Sequence, residues 1–543
     1  MSQFKNQFAE NIFQQKYANY PGQTWANKAG LLVHDVAASL LQRDDSSHLH
    51  QAICDFKFMP AGRYIYYAGR EANFYNNCYL LKGEEDTREE WGALGQRASG
   101  CLMTGGGIGA DYSAFRPEGS PLGRTGGTAS GPLPLMKSIN EIGRNVMQGG
   151  SRRSAIYASL NWQHGDAQQF LTAKDWAIQD VVPGLTFKAA KEQNFNVAAP
   201  LDMTNISLNY DDAFLKDIKN GTLPDTFTQN VRYAMFNGEP GFSFNFGAKE
   251  NETLRNACTE VTSADDSDVC NLGSVNMGAI ETLEEFREVV RLGSMFLVCG
   301  TLKADLPYQK VHDIRQKNRR LGLGLMGIHE WLLKRGYKYE MVSELREWLL
   351  VYEEESERAA NRLCDLLCIS HPIAYRAIAP TGTIGILAGT TTGLECLYAV
   401  AYKRRYLVGG TTWKYEYVVD NTANLLIQQY DLDADSIETA SSLALDPERR
   451  IKFQADVQDY VDMAISSTLN LPAWGSENNN EDKVNDFARI VAKYAPRLRG
   501  LTFYPDGSRG GQPLTAVPYK EAKGQEGIVF EENDACKGGV CGI

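Results

Sequence analysis

Hydrophobic positions change period repeatedly along this chain, and the changes lay out its elements. Over residues 1–57 they fall three and four apart, most clearly in GLLVHDVAASLLQ, which predicts a helical N-terminal region. From Phe58 onward, short runs rich in β-branched and aromatic residues predict strands: RYIYYAG, NCYLL, AIYASLNW, TNISLNY, GFSFNF, VCNLGSVNM, IGILAG and LTFY. Helical patterns lie between them, among them 281–302, 343–368, 450–469 and 481–494. Strand and helix alternating to about residue 512 predicts an α/β architecture on a mostly parallel sheet, closed or doubly wound. Nothing repeats at a short period, which excludes a solenoid. From Tyr519 apolar residues thin out, so 519–543 is expected to be a flexible tail.

Composition narrows the function classes. The 543 residues are 43% hydrophobic, enough for a large buried core. No run of 18 apolar residues occurs, and the start is not a basic stretch followed by an apolar one, so a cytoplasmic protein without a membrane segment is expected. A net charge of −12 provides no field for a nucleic-acid backbone; the basic clusters KNRR (317–320) and KRR (403–405) suit one small phosphate group at most. The eleven cysteines are expected to be thiols. Five of them, Cys54, Cys299, Cys364, Cys368 and Cys396, sit in apolar or helical patterns and read as inert core groups. No cysteine or histidine pair has tetrahedral zinc spacing, so no metal site is expected.

Three glycine clusters punctuate the core: TGGGIGADYS (104–113), RTGGTASGP (124–132) and QGGSRRSA (148–155). The first approaches a dinucleotide fingerprint but lacks the later acidic residue. Such loops predict either tight turns or close backbone approach to a phosphate-bearing ligand, and Arg152 and Arg153 favour the ligand at the third. The densest reactive segment is 255–278. There Asn256, Cys258 and Glu260 alternate, so an extended stretch would direct an amide, a thiol and a carboxylate to one face. Burying a thiol beside a carboxylate is costly without a purpose. Two further cysteines, Cys536 and Cys541, stand on the glycine-rich end EENDACKGGVCGI.

Asn256-Ala257-Cys258-Thr259-Glu260, followed by Val269-Cys270-Asn271-Leu272, resembles the finger loop and neighbouring strand of the ribonucleotide reductase catalytic chain. NNCYLL with Cys78, GGGIGADYS, QGGSRRSA, RLGLGLMG (320–327) and PTGTIGILAGTTTGLE (380–395) are similar to further family segments in the same order, from about residue 58 to the end. RGLTFYPDGSRGGQPL is similar to a segment of the adenosylcobalamin-dependent (class II) branch, departing from it at Pro505. Phe503 before a single Tyr504 departs from the tyrosine pair of the branch that receives its radical from a second subunit, and no motif of the glycyl-radical branch is found.

The resemblance implies a ten-stranded α/β barrel over 58–518, between the helical region 1–57 and the tail 519–543. It implies a ribonucleotide reductase acting on di- or triphosphates, with adenosylcobalamin generating the radical. Cys258 would carry the thiyl radical, Glu260 act as base on the ribose 3′ hydroxyl, and Asn256 orient the hydroxyls. Cys78 and Cys270 would deliver the electrons and close as a disulfide, and Cys536 and Cys541 would shuttle reducing equivalents from a thioredoxin- or glutaredoxin-like protein. Thr381, Gly382 and Thr383 would hold substrate phosphates, and Arg152 and Arg153 would belong to a dNTP effector loop. The family precedent is a homodimer; the N-terminal region is too short for the ATP-binding activity module. The alternatives are a catalytic subunit that needs a separate radical-generating partner, and a non-catalytic nucleotide-binding relative.

Overall fold

The computed structural model describes residues 3–123, 125–146, 154–194, 196–408, 412–508, 514–526 and 529–530. Five strands, Cys78–Lys82, Gly107–Asp111, Ile156–Asn161, Thr204–Tyr210 and Gly241–Phe244, run parallel in that order. Asp268–Asn276 is parallel to Leu321–Met326, and Thr468–Leu471 to Gly500–Pro505. The two sets meet antiparallel, Asp268–Asn276 against Cys78–Lys82 and Gly500–Pro505 against Gly241–Phe244. With the short strand Phe58–Pro60 paired to Asp268–Asn276, the sheet has ten strands.

Residues 374–378 close it. Leu321 N donates to the Ala374 carbonyl (2.9 Å) on one side, while Ile378 N donates to Ala464 O (3.2 Å) and Ser466 N to Ile378 O (2.8 Å) on the other. These contacts run parallel, and 463–466 leads directly into Thr468–Leu471. Without Phe58–Pro60, nine strands of the sheet and this segment make a ring of ten, two parallel halves joined antiparallel.

The strands are apolar because both faces are covered: all nine residues of Asp268–Asn276 are buried. Helices pack outside. In Leu283–Lys303 the Thr282 side chain caps the first turn at Glu285 N, Glu284 and Glu285 sit at the positive end of the helix dipole, and Lys303 sits at the negative end. The N-terminal region is helical as expected, with Gln7–Lys16, Trp25–Val36 and Arg43–Cys54. Trp25 holds these helices together: its ring stacks on Phe56 at 5.2 Å and its Nε1 donates to Ile53 O. Among the described residues no helix is long and apolar enough to cross a membrane.

Several expectations are corrected. RYIYYAG forms the helix Gly62–Tyr67 and IGILAG lies in Gly382–Ala388. In the first, aromatic β preference yields to tertiary packing that buries the consecutive residues Arg63, Tyr64 and Ile65; in the second, Gly389 in the left-handed region ends the helix. The 450–469 pattern divides into the helix Pro447–Gln458 and the strand Thr468–Leu471. Part of 519–543 carries secondary structure. Tyr519–Ala522 is a helix, and Leu514–Val517 and Val529–Phe530 join the hairpin Ala401–Val408/Thr412–Val419 in a second, antiparallel sheet. That hairpin was not anticipated. The basic clusters are internally engaged: Lys317 pairs with Asp265, Arg320 with Asp268 and Arg404 with Glu416, and Lys403 lies over the Tyr415 ring. Cys368 is exposed beyond the helix Ser343–Leu366 and Cys54 is half-buried; Cys299, Cys364 and Cys396 are buried as expected.

A ring of ten strands is wider than wall side chains alone fill. Here a hairpin, Leu254–Arg255 paired with Thr262–Ser263, passes through it. One side of the hairpin lies against Gly107 and Gly109; on the opposite side of the ring, Ala464 N donates to Glu260 O at 2.8 Å. A Cβ on Gly109 would strike the Arg255 carbonyl, and one on Gly107 would crowd Cys78 Sγ and Ala257. The glycines of GGGIGADYS therefore make room for the protein's own chain. Gly109→Ala is expected to cost about 1–3 kcal/mol, as overpacking does, read as a lower urea midpoint at unchanged m-value.

Candidate active site

The six residues 256–261 at the end of this hairpin bring the predicted trio together by a turn, not by the extended alternation that their spacing suggested. Thr259 N donates to Asn256 O at 2.9 Å, and Thr259 has φ +72, a left-handed conformation that a β-branched residue rarely adopts. Asn256 braces the turn with both ends of its amide: Oδ1 accepts from Val261 N (3.0 Å), and Nδ2 donates to Glu260 Oε1 (2.9 Å). The other oxygen, Oε2, is buried and without a hydrogen-bond partner among the described residues. Burial pushes the Glu260 carboxyl up to about 7, against the opposing hydrogen bonds from its own backbone and from Asn256. It is therefore a carboxylate with a vacant lone pair, poised to exchange a proton near neutrality.

Cys258, at the tip, lies between two clefts. The first, of about 190 Å³, is lined by Cys78, Glu260, Ser274 and the loop 379–384. The second, of about 230 Å³, lies across the turn and is lined by Asn205, Ser207, Glu239, Ser466, Thr468 and Tyr504. Among the described residues, only Cys258 and Pro380 line both.

Cys78 and Cys270, 192 positions apart, are directly opposed on the antiparallel strands Cys78–Lys82 and Asp268–Asn276. Opposed residues bring their Cβ atoms to about 4.5–5.5 Å, near the span that a disulfide needs. Cys78 lines the first cleft, whereas Cys270 sits behind it, where a Cβ on Gly322 would crowd its sulfur. Burial, with Asp268 second, holds the Cys270 thiol well above its usual range. Two glycines of RLGLGLMG thus serve this site, Gly322 at Cys270 and Gly324 against the Ala377 carbonyl.

Thr381, Gly382 and Thr383 border the same cleft. Thr381 is left-handed (φ +46), its hydroxyl oxygen accepts from Gly393 N at 2.7 Å, and the space at Gly382 Cα is open. Their amides open the helix Gly382–Ala388, whose first N–H groups have no acceptor within the helix. Arg152, Arg153, Cys536 and Cys541 lie outside the described residues. Sequence reasoning missed Arg63 and Asn77 in the first cleft and Asn205, Ser207 and Glu239 in the second. Arg63 was hidden inside a run read as a strand; the others belong to strands and loops that only the fold brings to Cys258. Among the described residues no group of three or more His, Cys, Asp or Glu could hold a metal ion.

Residues 76–253, 233–347 and 373–495 match the family model described as ribonucleotide reductase, barrel domain. The chain is 26% identical, over 90% of its length and 75% of the relative's, to the vitamin B12-dependent ribonucleoside-diphosphate reductase of Mycobacterium tuberculosis (strain CDC 1551 / Oshkosh). It is 24% identical to the enzyme of the same name from Thermoplasma acidophilum, over 89% of this chain and 68% of that one. A putative adenosylcobalamin-dependent ribonucleoside-triphosphate reductase of Mycobacterium phage D29 is 26% identical over 80% of this chain and 71% of its own.

The environment of Glu260 makes a prediction with a fixed sign. A carboxyl whose folded pKa is raised stabilises the fold at low pH, and that contribution is lost as pH rises from its unfolded value of 4.5 through about 7. Glu260→Gln removes the dependence. Its stability relative to wild type is expected to grow by ~2 kcal/mol between pH 5.5 and 8, measured by urea unfolding, while activity falls by about 100-fold or more.

Proposed function

The chain belongs to the ribonucleotide reductase family, and from that premise we propose that it reduces ribonucleotides to 2′-deoxyribonucleotides by thiyl-radical chemistry initiated by adenosylcobalamin. The observation that carries the reading is the position of Cys258, whose thiol is shared by two clefts. The first suits a ribonucleotide, with a carboxylate, a redox thiol and a loop of free amides around one space. The second suits the adenosyl end of the cofactor, because Asn205, Ser207, Ser466, Thr468 and Tyr504 offer amide and hydroxyl partners to a ribose. Those residues would hold the adenosyl end, and adenosylcobalamin bound there would supply radical-initiating chemistry beside Cys258.

The residues then act in sequence. Cys258 gives up its hydrogen atom toward the second cleft, and its sulfur takes the 3′ hydrogen of the ribose in the first. Glu260 Oε2 accepts the 3′ hydroxyl proton, and Asn256 keeps that oxygen in place by holding Oε1. The 2′ hydroxyl leaves as water, with a proton from the Cys78/Cys270 pair. The pair supplies two electrons to the sugar and its second proton to C2′, and closes as a disulfide; Glu260 returns its proton to the 3′ oxygen, and return of the hydrogen atom from Cys258 to C3′ completes the deoxyribose.

Cys536 and Cys541 are the proposed shuttle that reopens the disulfide by thiol exchange with a thioredoxin- or glutaredoxin-like reductant. From Phe530 to Cys536 the chain spans about 20 Å at most. A dNTP effector is proposed to act through the loop of Arg152 and Arg153. A cleft of about 350 Å³ offers space for such a ligand, with Trp91 and Phe115 for a base; its arginines, Arg88 and Arg116, are paired with Glu89 and Asp86 and would have to exchange those partners for phosphate. A partner subunit as radical source is disfavoured by Phe503, which is packed between Phe242 and Phe487 where a radical path would need a tyrosine.

Deoxyribonucleotide is expected from ribonucleoside di- or triphosphate with dithiothreitol and adenosylcobalamin, and none without the cofactor; product formed without it sinks the self-contained reading. Cys258→Ser is expected to abolish turnover. Replacing Cys536 and Cys541 by serine is expected to preserve turnover with dithiothreitol but remove it with a thioredoxin-like protein, because the small thiol reaches a buried disulfide unaided.

A further inference from the structure

The first cleft contains a charge that the reaction above does not use. Arg63 lines it from the first turn of Gly62–Tyr67 and is only 8% exposed. Its guanidinium is held on three sides: Nε donates to the Phe74 carbonyl at 3.2 Å, Nη2 donates to the Thr104 carbonyl and at 3.4 Å to the Tyr67 hydroxyl, and Cζ lies 4.7 Å from the centre of the Tyr67 ring. The remaining nitrogen, Nη1, beside Gly105, has no hydrogen-bond partner among the described residues. Nor does Arg63 pair there with any carboxylate. Arg320, Arg376, Arg450 and Arg499 are buried to a similar degree, and each faces one, at 2.8, 2.6, 3.2 and 3.0 Å. Arg255, Arg315 and Arg319 also lack a paired carboxylate among the described residues, but none of them lines the cleft.

Burying a cation without an anion is costly, and a guanidinium fixed by neutral acceptors keeps its full charge available. Among the described residues lining this cleft, Arg63 is the only cation and Glu260 the only carboxylate. The loop 381–383 offers amides and hydroxyls, which hold a phosphate without neutralising it.

We propose that Arg63 reads the phosphate chain of the bound ribonucleotide, with Nη1 as a charge-assisted donor to a phosphate oxygen. The proposal rests on the ribonucleotide reading of the cleft. Because the guanidinium is already immobilised, little side-chain entropy is lost when the anion arrives. Arg63 thus makes the cleft select for phosphorylated nucleosides, and its contribution appears only when phosphate is present.

The test is a ligand series on the full chain. Calorimetric titration of cytidine, CMP, CDP and CTP into wild type, Arg63→Ala, Arg63→Gln and Arg63→Lys reads the residue's dependence on phosphate. Arg63→Ala and Arg63→Gln are expected to weaken CDP and CTP by about 10- to 100-fold, as loss of a charge-assisted hydrogen bond does, while leaving cytidine within about twofold; Arg63→Lys recovers part of the loss. In turnover, KM rises and kcat stays close to wild type. Equal weakening of cytidine and CDP, or none for either, overturns the proposal and leaves Arg63 as a brace for Thr104 and Phe74. Should Arg63→Ala fail to fold, the Gln and Lys variants, checked by thermal melting, carry the same comparison. Wild type that binds CDP but forms no deoxy product refutes the reductase reading while leaving the Arg63 result standing.

Discussion

The structure depends on one steric fact: a peptide hairpin runs through the bore of a ten-membered ring of strands. The backbone at Arg255 and Asn256 comes so near the wall that position 109 admits no side chain, and position 107 scarcely admits one. On the far wall Ala464 N holds the Glu260 carbonyl. Fixed at both walls, the turn at 256–261 has little freedom, and the strained φ of Thr259 persists because its surroundings determine it. Cys258 is thereby placed where two clefts meet. The base of the hairpin is anchored by charge: Arg255 Nη2 bonds to Asn245 Oδ1 at 2.7 Å, and Glu252 takes Arg499 at 3.0 Å and Thr262 at 2.9 Å.

The same enclosure sets the electrostatics. Burial by the hairpin leaves the Glu260 carboxylate poorly solvated, with no cation beside it among the described residues, so the carboxyl keeps its proton up to about pH 7, well above the usual carboxylate range. Cys270, in the wall behind, is kept protonated by the same burial, with Asp268 second and Arg320 opposing. Both opposed thiols are thereby kept out of bulk solvent, the environment that the redox role proposed for them requires. Among the described residues lining the cleft, Arg63 is the only cation and Glu260 the only carboxylate, so the field combines one fixed positive charge with one titratable carboxyl.

Much of this was legible in the linear sequence wherever the chemistry is local. Asn256, Cys258 and Glu260 stand within five residues, and their types alone argue for a reactive site. Alternation of strand and helix predicted the fold class, and the order of motifs predicted the barrel. The errors arose where tertiary contacts outweighed local preference. RYIYYAG has the composition of a strand, yet it packs as a helix, which concealed Arg63. The alternation at 256–260 suggested an extended stretch, whereas Asn256 pulls it into a turn. The glycines of 104–109 were read for a ligand or a turn, although the nearest object is the chain itself.

The sequence by itself determined which groups are available: the thiols, one carboxylate beside an amide, the loop at 381–383, and wall glycines at 107, 109, 322 and 324. Those are properties of residue type and short-range spacing, which a chain carries folded or not. Only the tertiary structure decided which groups meet and in what medium. It opposed Cys78 to Cys270 across 192 positions, set Cys258 between two clefts, and left Arg63 without a counter-ion among the described residues. Proximity over such separations, and the desolvation that shifts Glu260, arise from packing around a closed ring, which no local pattern encodes.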